Sequence, residues 1–252
     1  MKNISVFLVV KNEAHNIDRV LKSVQECDDI VVVDSDSTDN TMELAGHYTN
    51  RLYNHEWQGM AIQKEYAKSL CKHDWVLNLD ADEELTAELK QQVIELVEKN
   101  NDVAGADIPI QEFFMGFPVH AATRKNSHVR LFRQSLGQYG TERFHESAVV
   151  TGSISSLSGS INHYGETSIE VKINKNNTYS SGKALDKFER GKQSSLLKLL
   201  VIFPLMFVKS YFLRRNFLNG RRGFIGSMVN AFYAFLKEAK LYELELNKSN
   251  KR

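Results

Sequence analysis

Three acidic segments follow apolar runs, and they hold the residues best suited to chemistry. Lys11-Asn12-Glu13 follows Ile4–Val10, Asp34-Ser35-Asp36-Ser37-Thr38-Asp39 closes a run that begins at Ile30, and Asp80-Ala81-Asp82-Glu83-Glu84 follows Trp75–Leu79. In open parallel sheets, ligands gather at the carboxyl ends of strands. Asp80 and Asp82 stand two positions apart, which in an extended segment puts both carboxylates on one side. That pattern suits a hard divalent cation, Mg²⁺ or Mn²⁺, shared with phosphate oxygens. Each acid taken alone also reads as a turn former or helix cap, and Asp80-Ala81-Asp82 as an acidic turn.

The elements that must position these acids alternate. Ile4–Val10, Ile30–Asp34 and Trp75–Leu79 read as strands, and 14–25, 38–46, 59–70 and 86–99 as helices, which predicts an α/β fold with a parallel sheet. Ser37 or Thr38 is expected to cap the second helix and Gly46 to help end it. Shorter strands near 104–110, 128–133, 145–150 and 159–164 predict an antiparallel extension, followed by a polar helix over 168–190. Arg130 and Arg133, set among Val129, Leu131 and Phe132, are expected to share a strand face and to pair with diphosphate or acceptor phosphate; structural ion pairs are the other reading.

With 42% hydrophobic and 25% charged residues over 252 positions, the composition is that of a water-soluble globular chain. Cys27 and Cys71 read as buried thiols of a reducing compartment, and no zinc site is indicated. Lys11, Asn12 and Glu13 cut the first apolar run short, so it reads as a strand and not as a signal peptide.

The net charge of +1 conceals an asymmetry: residues 190–237 hold nine Lys/Arg and no Asp or Glu, leaving about −8 elsewhere by subtraction. The chain is therefore expected to divide into an α/β domain over 1–190 and a basic amphipathic helical tail over 191–252. Within 196–213 the unbroken apolar run is ten residues, too short to span a bilayer. A kinked helix lying in the interface, with Arg214, Arg215, Arg221 and Arg222 on an anionic membrane surface, is expected instead. Packing of these helices on each other or on a second subunit is the alternative. Nucleic acid fits the stretch less well, because its charges are interleaved with aliphatic side chains.

Read in order, these segments resemble the family 2 glycosyltransferases, inverting enzymes of the GT-A fold, and within them the lipopolysaccharide-core glucosyltransferase branch. The residues that carry the resemblance are Lys11-Asn12-Glu13, Val32 to Thr41, Gly59 with Gln63-Lys64, Trp75 to Glu83, Val129 to Arg133, and Phe144-His145-Glu146. The resemblance implies that Glu13 and Asp34, with backbone from Val9 and Val10, hold the nucleoside. It further implies that Lys64 lies near the uracil or diphosphate and that Asp82 binds the metal with Asp80 nearby. Asp36, Ala81 and Arg130 are counted with the donor contacts, and His163 as a third metal ligand. The chain departs from the family pattern at Glu65, at Phe144 and between Phe117 and Lys125, where Ala121-Ala122-Thr123-Arg124 stands in place of Gly and Trp.

An inverting transfer needs a base on the acceptor hydroxyl. Glu146 is the expected base, with Glu142 and His145 as rivals in the same segment. The implied donor is UDP-glucose and the implied acceptor a heptose-bearing lipopolysaccharide core or similar lipid-linked glycan. The implied location is cytoplasmic, peripheral on the inner face of a bacterial inner membrane. Capsule or exopolysaccharide assembly with another donor is the alternative, and a non-catalytic nucleotide-sugar-binding scaffold a more distant one. A nucleotidyltransferase is disfavoured because Val9-Val10-Lys11-Asn12-Glu13 lacks a glycine-rich phosphate loop.

Overall fold

A computed structural model describes residues 1–99, 102–140 and 147–249. Strand β1 (Ile4–Val10) pairs in parallel with β2 (Asp29–Asp34) and with β4 (Trp75–Asn78), while β2 pairs with the short β3 (Leu52–Asn54). Helices α1 (Ile17–Val24), α2 (Thr41–Ala45) and α3 (Met60–Ser69) lie between these strands in sequence. The strands are buried on both faces, which is why they read as unbroken apolar runs. Ile4, Val6, Leu8 and Val10 join the core that contains Ile17, Val20, Leu21 and Val24 of α1; Phe7 joins the opposite core with Val31, Val33, Ala61 and Phe132.

The sheet continues through β8 (Ser127–Arg133), β6 (Val103–Phe114) and β12 (Ile161–Glu166) to β5 (Glu83–Leu85), giving the order β3-β2-β1-β4-β8-β6-β12-β5. The pairings β4–β8, β8–β6 and β12–β5 are antiparallel. This is the α/β architecture expected, a Rossmann-like parallel half with an antiparallel extension. Helix α4 (Ala87–Glu98) starts where Thr86 Oγ1 accepts from the Leu89 N–H at 3.3 Å and buries Leu89, Val93, Leu96 and Val97. Its close neighbour is Gly159: a Cβ there would stand 2.7 Å from the Leu89 backbone, so a larger residue would push the helix away. Between β6 and β12 in sequence lie β7 (Phe117–Pro118), β8, β9 (Gly137–Tyr139), β10 (Ala148–Val150) and β11 (Ser153–Ser156).

The chain forms two compact units, Met1–Glu112 with Lys125–Tyr164, and Phe113–Arg124 with Gly165–Arg252. In the second, α5 (Ile169–Glu189) and α6 (Leu196–Val208) both pack on α7 (Gly220–Ser249). Buried Glu238 of α7 pairs with Lys198 at 2.8 Å and Lys187 at 3.3 Å, and Arg190 pairs with Asp186 at 3.0 Å. At least two of the nine basic residues are thus neutralised by acids outside 190–237. The expected break in the apolar segment is also corrected. Leu196–Leu213 is one helical run of 18 residues that continues through Pro204 and a π-helical turn; by length and composition it suffices to cross a membrane. Within the protein it is nearly unburied, exposing Leu196, Leu197, Leu200, Leu205 and Leu213.

Candidate active site

At the end of β2 the acids serve their own turn. Asp34 is buried, and its carboxylate accepts from the Ser37 N–H at 2.9 Å and the Ser37 hydroxyl at 2.5 Å. Asn12 closes the turn from the first strand: its N–H donates to Ser37 Oγ at 2.8 Å, and its side-chain oxygen accepts from the Thr38 N–H at 2.8 Å. Asp36 and Asn12 both adopt left-handed backbone, with φ of 60° and 55°, which short polar side chains tolerate. Asp36 accepts from Asn54 Nδ2 at 3.1 Å. Ser37 and Thr38 therefore do not cap the second helix. That helix begins at Thr41, whose hydroxyl accepts from the Glu13 N–H at 2.8 Å, while Asn16 Nδ2 donates to Glu13 at 2.9 Å. The Val10 carbonyl accepts from Ser35 N–H at 2.9 Å, and Val9 lies beside Val33 in the ladder. Glu13, Asp34, Asp36, Val9 and Val10 are thereby gathered at the carboxyl ends of β1 and β2.

At the end of β4 the chain turns instead of running on extended. The Glu83 N–H donates to the Asp80 carbonyl at 3.0 Å across Ala81 and Asp82, so the two-residue strand period fails and the two aspartates part. Asp80 faces cations: Lys64 Nζ lies 2.9 Å from its Oδ1 and Arg130 Nη2 lies 2.8 Å from its Oδ2. Arg130 also reaches Glu83 Oε1 at 2.7 Å and donates to Asn78 Oδ1 at 3.0 Å. Glu83 Oε2 in turn accepts the Asp80 N–H at 2.8 Å, which pins the turn. Burial alone would raise the Asp80 carboxyl, but Arg130 and Lys64 outweigh it and hold it well below the usual range. Burial, with the charge of Asp80 added, pushes Glu83 up to about 7. Burial similarly pushes the Cys27 and Cys71 thiols up to about 12, as inert structural thiols require.

Asp82 faces His163. The imidazole Nε2 lies 3.3 Å from Asp82 Oδ2, and Nδ1 lies 2.5 Å from Glu112 Oε2. Burial would lower this histidine, yet the hydrogen bonds to Asp82 and Glu112 raise it to about 10. Backbone holds the pair together, since the Tyr164 N–H donates to the Asp82 carbonyl at 2.9 Å. No group of three or more His, Cys, Asp or Glu able to hold a metal occurs among the described residues. A carboxylate oxygen and an imidazole nitrogen side by side nevertheless fit a divalent cation that takes its remaining ligands from phosphate and water. Expected metal partners Asp82 and His163 are thus brought together, and Asp80 is turned to Lys64 and Arg130.

Lys64, Asp80 and Arg130 line a cleft together with Asn78, His128 and Tyr139. Arg133 is not there. Three positions along a strand reverse the face, so it meets Asp74 at 3.2 Å and lies over the Trp75 ring at 4.7 Å, away from Arg130. Glu146, Glu142 and His145 lie outside the described residues.

The model of glycosyl transferase family 2 matches residues 5–164. The chain belongs to that family. Over 99% of its length and 90% of the relative's, this family 2 chain is 35% identical to an uncharacterized glycosyltransferase of Rickettsia prowazekii (strain Madrid E). It is 32% identical to lipopolysaccharide core biosynthesis glycosyltransferase LpsC of Rhizobium meliloti (strain 1021), over 95% of this chain and 92% of LpsC. Among solved structures, TarS of S. aureus in complex with UDP is 16% identical with a TM-score of 0.48, covering 100% of this chain and 92% of that one.

Within the family 2 site, sequence reasoning missed Glu112 and gave Glu83 no role. For Glu83 the sequence signal was only its place in the acidic run after β4; its burial at 2% exposure, which demands a partner, is visible in the fold alone. Glu112 carried only a weak signal, an acid flanked by apolar strand residues.

Proposed function

We propose that this family 2 glycosyltransferase is a metal-dependent, inverting hexosyltransferase that uses UDP-glucose and acts on a lipopolysaccharide-core or similar lipid-linked glycan. The observation that carries the reading is the pairing of Asp82 with His163 beside the Lys64–Asp80–Arg130 cluster at the carboxyl end of β4. The likeness to LpsC across nearly the whole chain supports the acceptor class.

In this reading the nucleoside sits at the ends of β1 and β2, where Asp34 and Glu13 accept from base or ribose donors and the backbone of Val9 and Val10 lies alongside. Asp82 and His163 would hold Mg²⁺ or Mn²⁺, which would supply Lewis-acid stabilisation of charge on the departing diphosphate. Lys64 and Arg130 add fixed positive charge on the same side and keep Asp80 ionised. Glu146 takes the proton from the acceptor hydroxyl as that oxygen attacks the anomeric carbon opposite the diphosphate; the carbon–oxygen bond to the diphosphate breaks, and the configuration inverts.

The exposed leucines of Leu196–Leu213 and the arginines after them support binding to an anionic membrane, which we take to be peripheral. Screening radiolabelled UDP- and GDP-sugars against core lipid acceptors, with and without Mn²⁺, tests the activity; metal-dependent transfer from UDP-glucose is expected, and exclusive use of a GDP-sugar refutes the donor. Flotation of the full chain with anionic vesicles, followed by carbonate extraction, tests the location; a peripheral protein floats and is then released.

A further inference from the structure

Strands β6 and β12 lie side by side in the sheet, and this adjacency puts Glu112 against Nδ1 of His163. We propose that Glu112 is a positioning residue that sets the tautomer and ring orientation of His163, so that Nε2 presents a lone pair toward Asp82 for the divalent cation. The proposal rests on the reading that Asp82 and His163 hold that cation.

The geometry gives the imidazole two different sides. Nδ1 lies 2.5 Å from Glu112 Oε2, and Nε2 lies 3.3 Å from Asp82 Oδ2. A neutral imidazole carries one N–H and one lone pair, and the stronger acceptor takes the N–H. Between the two carboxylates and without the cation, both ring nitrogens donate; a divalent cation would take the place of the Nε2 proton, while Glu112 keeps the N–H at Nδ1 and leaves the lone pair on Nε2, the nitrogen that faces Asp82. Carboxylates behind metal-bound histidines act in this way, and their loss commonly weakens metal binding 10- to 100-fold.

Backbone fixes the rest of the arrangement. His163 lies opposite Glu83 in the β12–β5 ladder, and the Tyr164 N–H is bonded to the Asp82 carbonyl. The ring can still turn about its own side-chain bonds, and Glu112, in the shorter of its two carboxylate contacts, holds it with Nε2 toward Asp82. Glu112 keeps 35% of its side chain exposed, so replacing it leaves no buried cavity.

Mn²⁺ alone is the probe, its free concentration followed by electron paramagnetic resonance and its ligands by the nitrogen hyperfine coupling of the bound ion. The wild-type chain should show a nitrogen coupling that H163A lacks. E112A should bind Mn²⁺ about 10- to 100-fold more weakly, and E112Q, whose amide oxygen can still accept the Nδ1 proton, should stay near wild type. E112S replaces E112A if the alanine variant fails to fold. Wild-type affinity and coupling in E112A, or an E112Q as weak as E112A, overturns the role of Glu112. No nitrogen coupling in the wild type, with H163A binding equally, instead overturns the metal-site reading and takes the proposal with it.

Discussion

Asp34 at the end of β2 gives its carboxylate to Ser37, three residues on, whereas Asp80 at the end of β4 gives its own to Lys64 and Arg130, 16 and 50 positions away. Both acids end a buried parallel strand. The first settles a turn with local donors and retains lone pairs that a nucleoside can use. The second is held by distant cations, so the charge state of that end depends on the assembled sheet. The end that we propose takes the nucleoside is thus built locally, and the end that we propose takes the diphosphate is a product of topology.

The comparison is broken most severely at Asp82. Asp82→Ala should lower turnover by about 10²–10³-fold, as loss of a charge-stabilising contact does, with little change in melting temperature; steady-state kinetics and thermal melts check both. Next comes Arg130→Met, which leaves buried Glu83 and Asp80 without their shared cation. Breaking such a pair costs about 3–5 kcal/mol, so urea unfolding should show a loss of that size.

Glu83 should give the pH signature of the β4 end. Its carboxyl is raised to about 7 in the folded chain against an ordinary 4.5. A raised carboxyl favours folding while protonated, so its contribution is complete below about pH 4.5 and is lost as pH climbs through about 7. Stability should fall between about pH 5 and 6.5 in the wild type and stay level there in Glu83→Gln, while the decline set by His163, raised from 6.5 to about 10, persists in both above that range. Ser37→Ala is the mildest change. It removes the hydroxyl that Asp34 and Asn12 share and should cost about 1 kcal/mol, together with a modest rise in KM for the donor.

Much of the first half of the sheet was legible because long buried strands and regular helices announce themselves. Ile4–Val10 matches its expected bounds, and the helix expected over 86–99 is α4, which buries Leu89, Val93, Leu96 and Val97. The short strands Leu52–Asn54, Glu83–Leu85 and Gly137–Tyr139 were not legible, since three residues are too few to show a period of two. Glu83–Leu85 matters most, because its pairing with β12 brings His163 to the acidic turn. The same limit applies to side chains. Asp34, Asp80 and Asp82 were marked by their strand ends, but the choice of Lys64 and Arg130 for one aspartate and His163 for the other required the turn at Ala81. That turn is also why the expectation of two parallel carboxylates failed. In the tail, composition revealed the basic apolar stretch but not the acids outside it, Glu238 and Asp186, that pair with Lys198 and Arg190.

The central claim is that Asp82 joins the donor diphosphate to the protein through a divalent cation. Calorimetric titration of UDP into the wild-type chain and Asp82→Ala, each with Mn²⁺ and with EDTA, tests it directly. Tight binding should require both Mn²⁺ and Asp82, while EDTA and the substitution should each abolish most of the affinity without adding to one another. Equal UDP affinity in all four titrations would contradict the account.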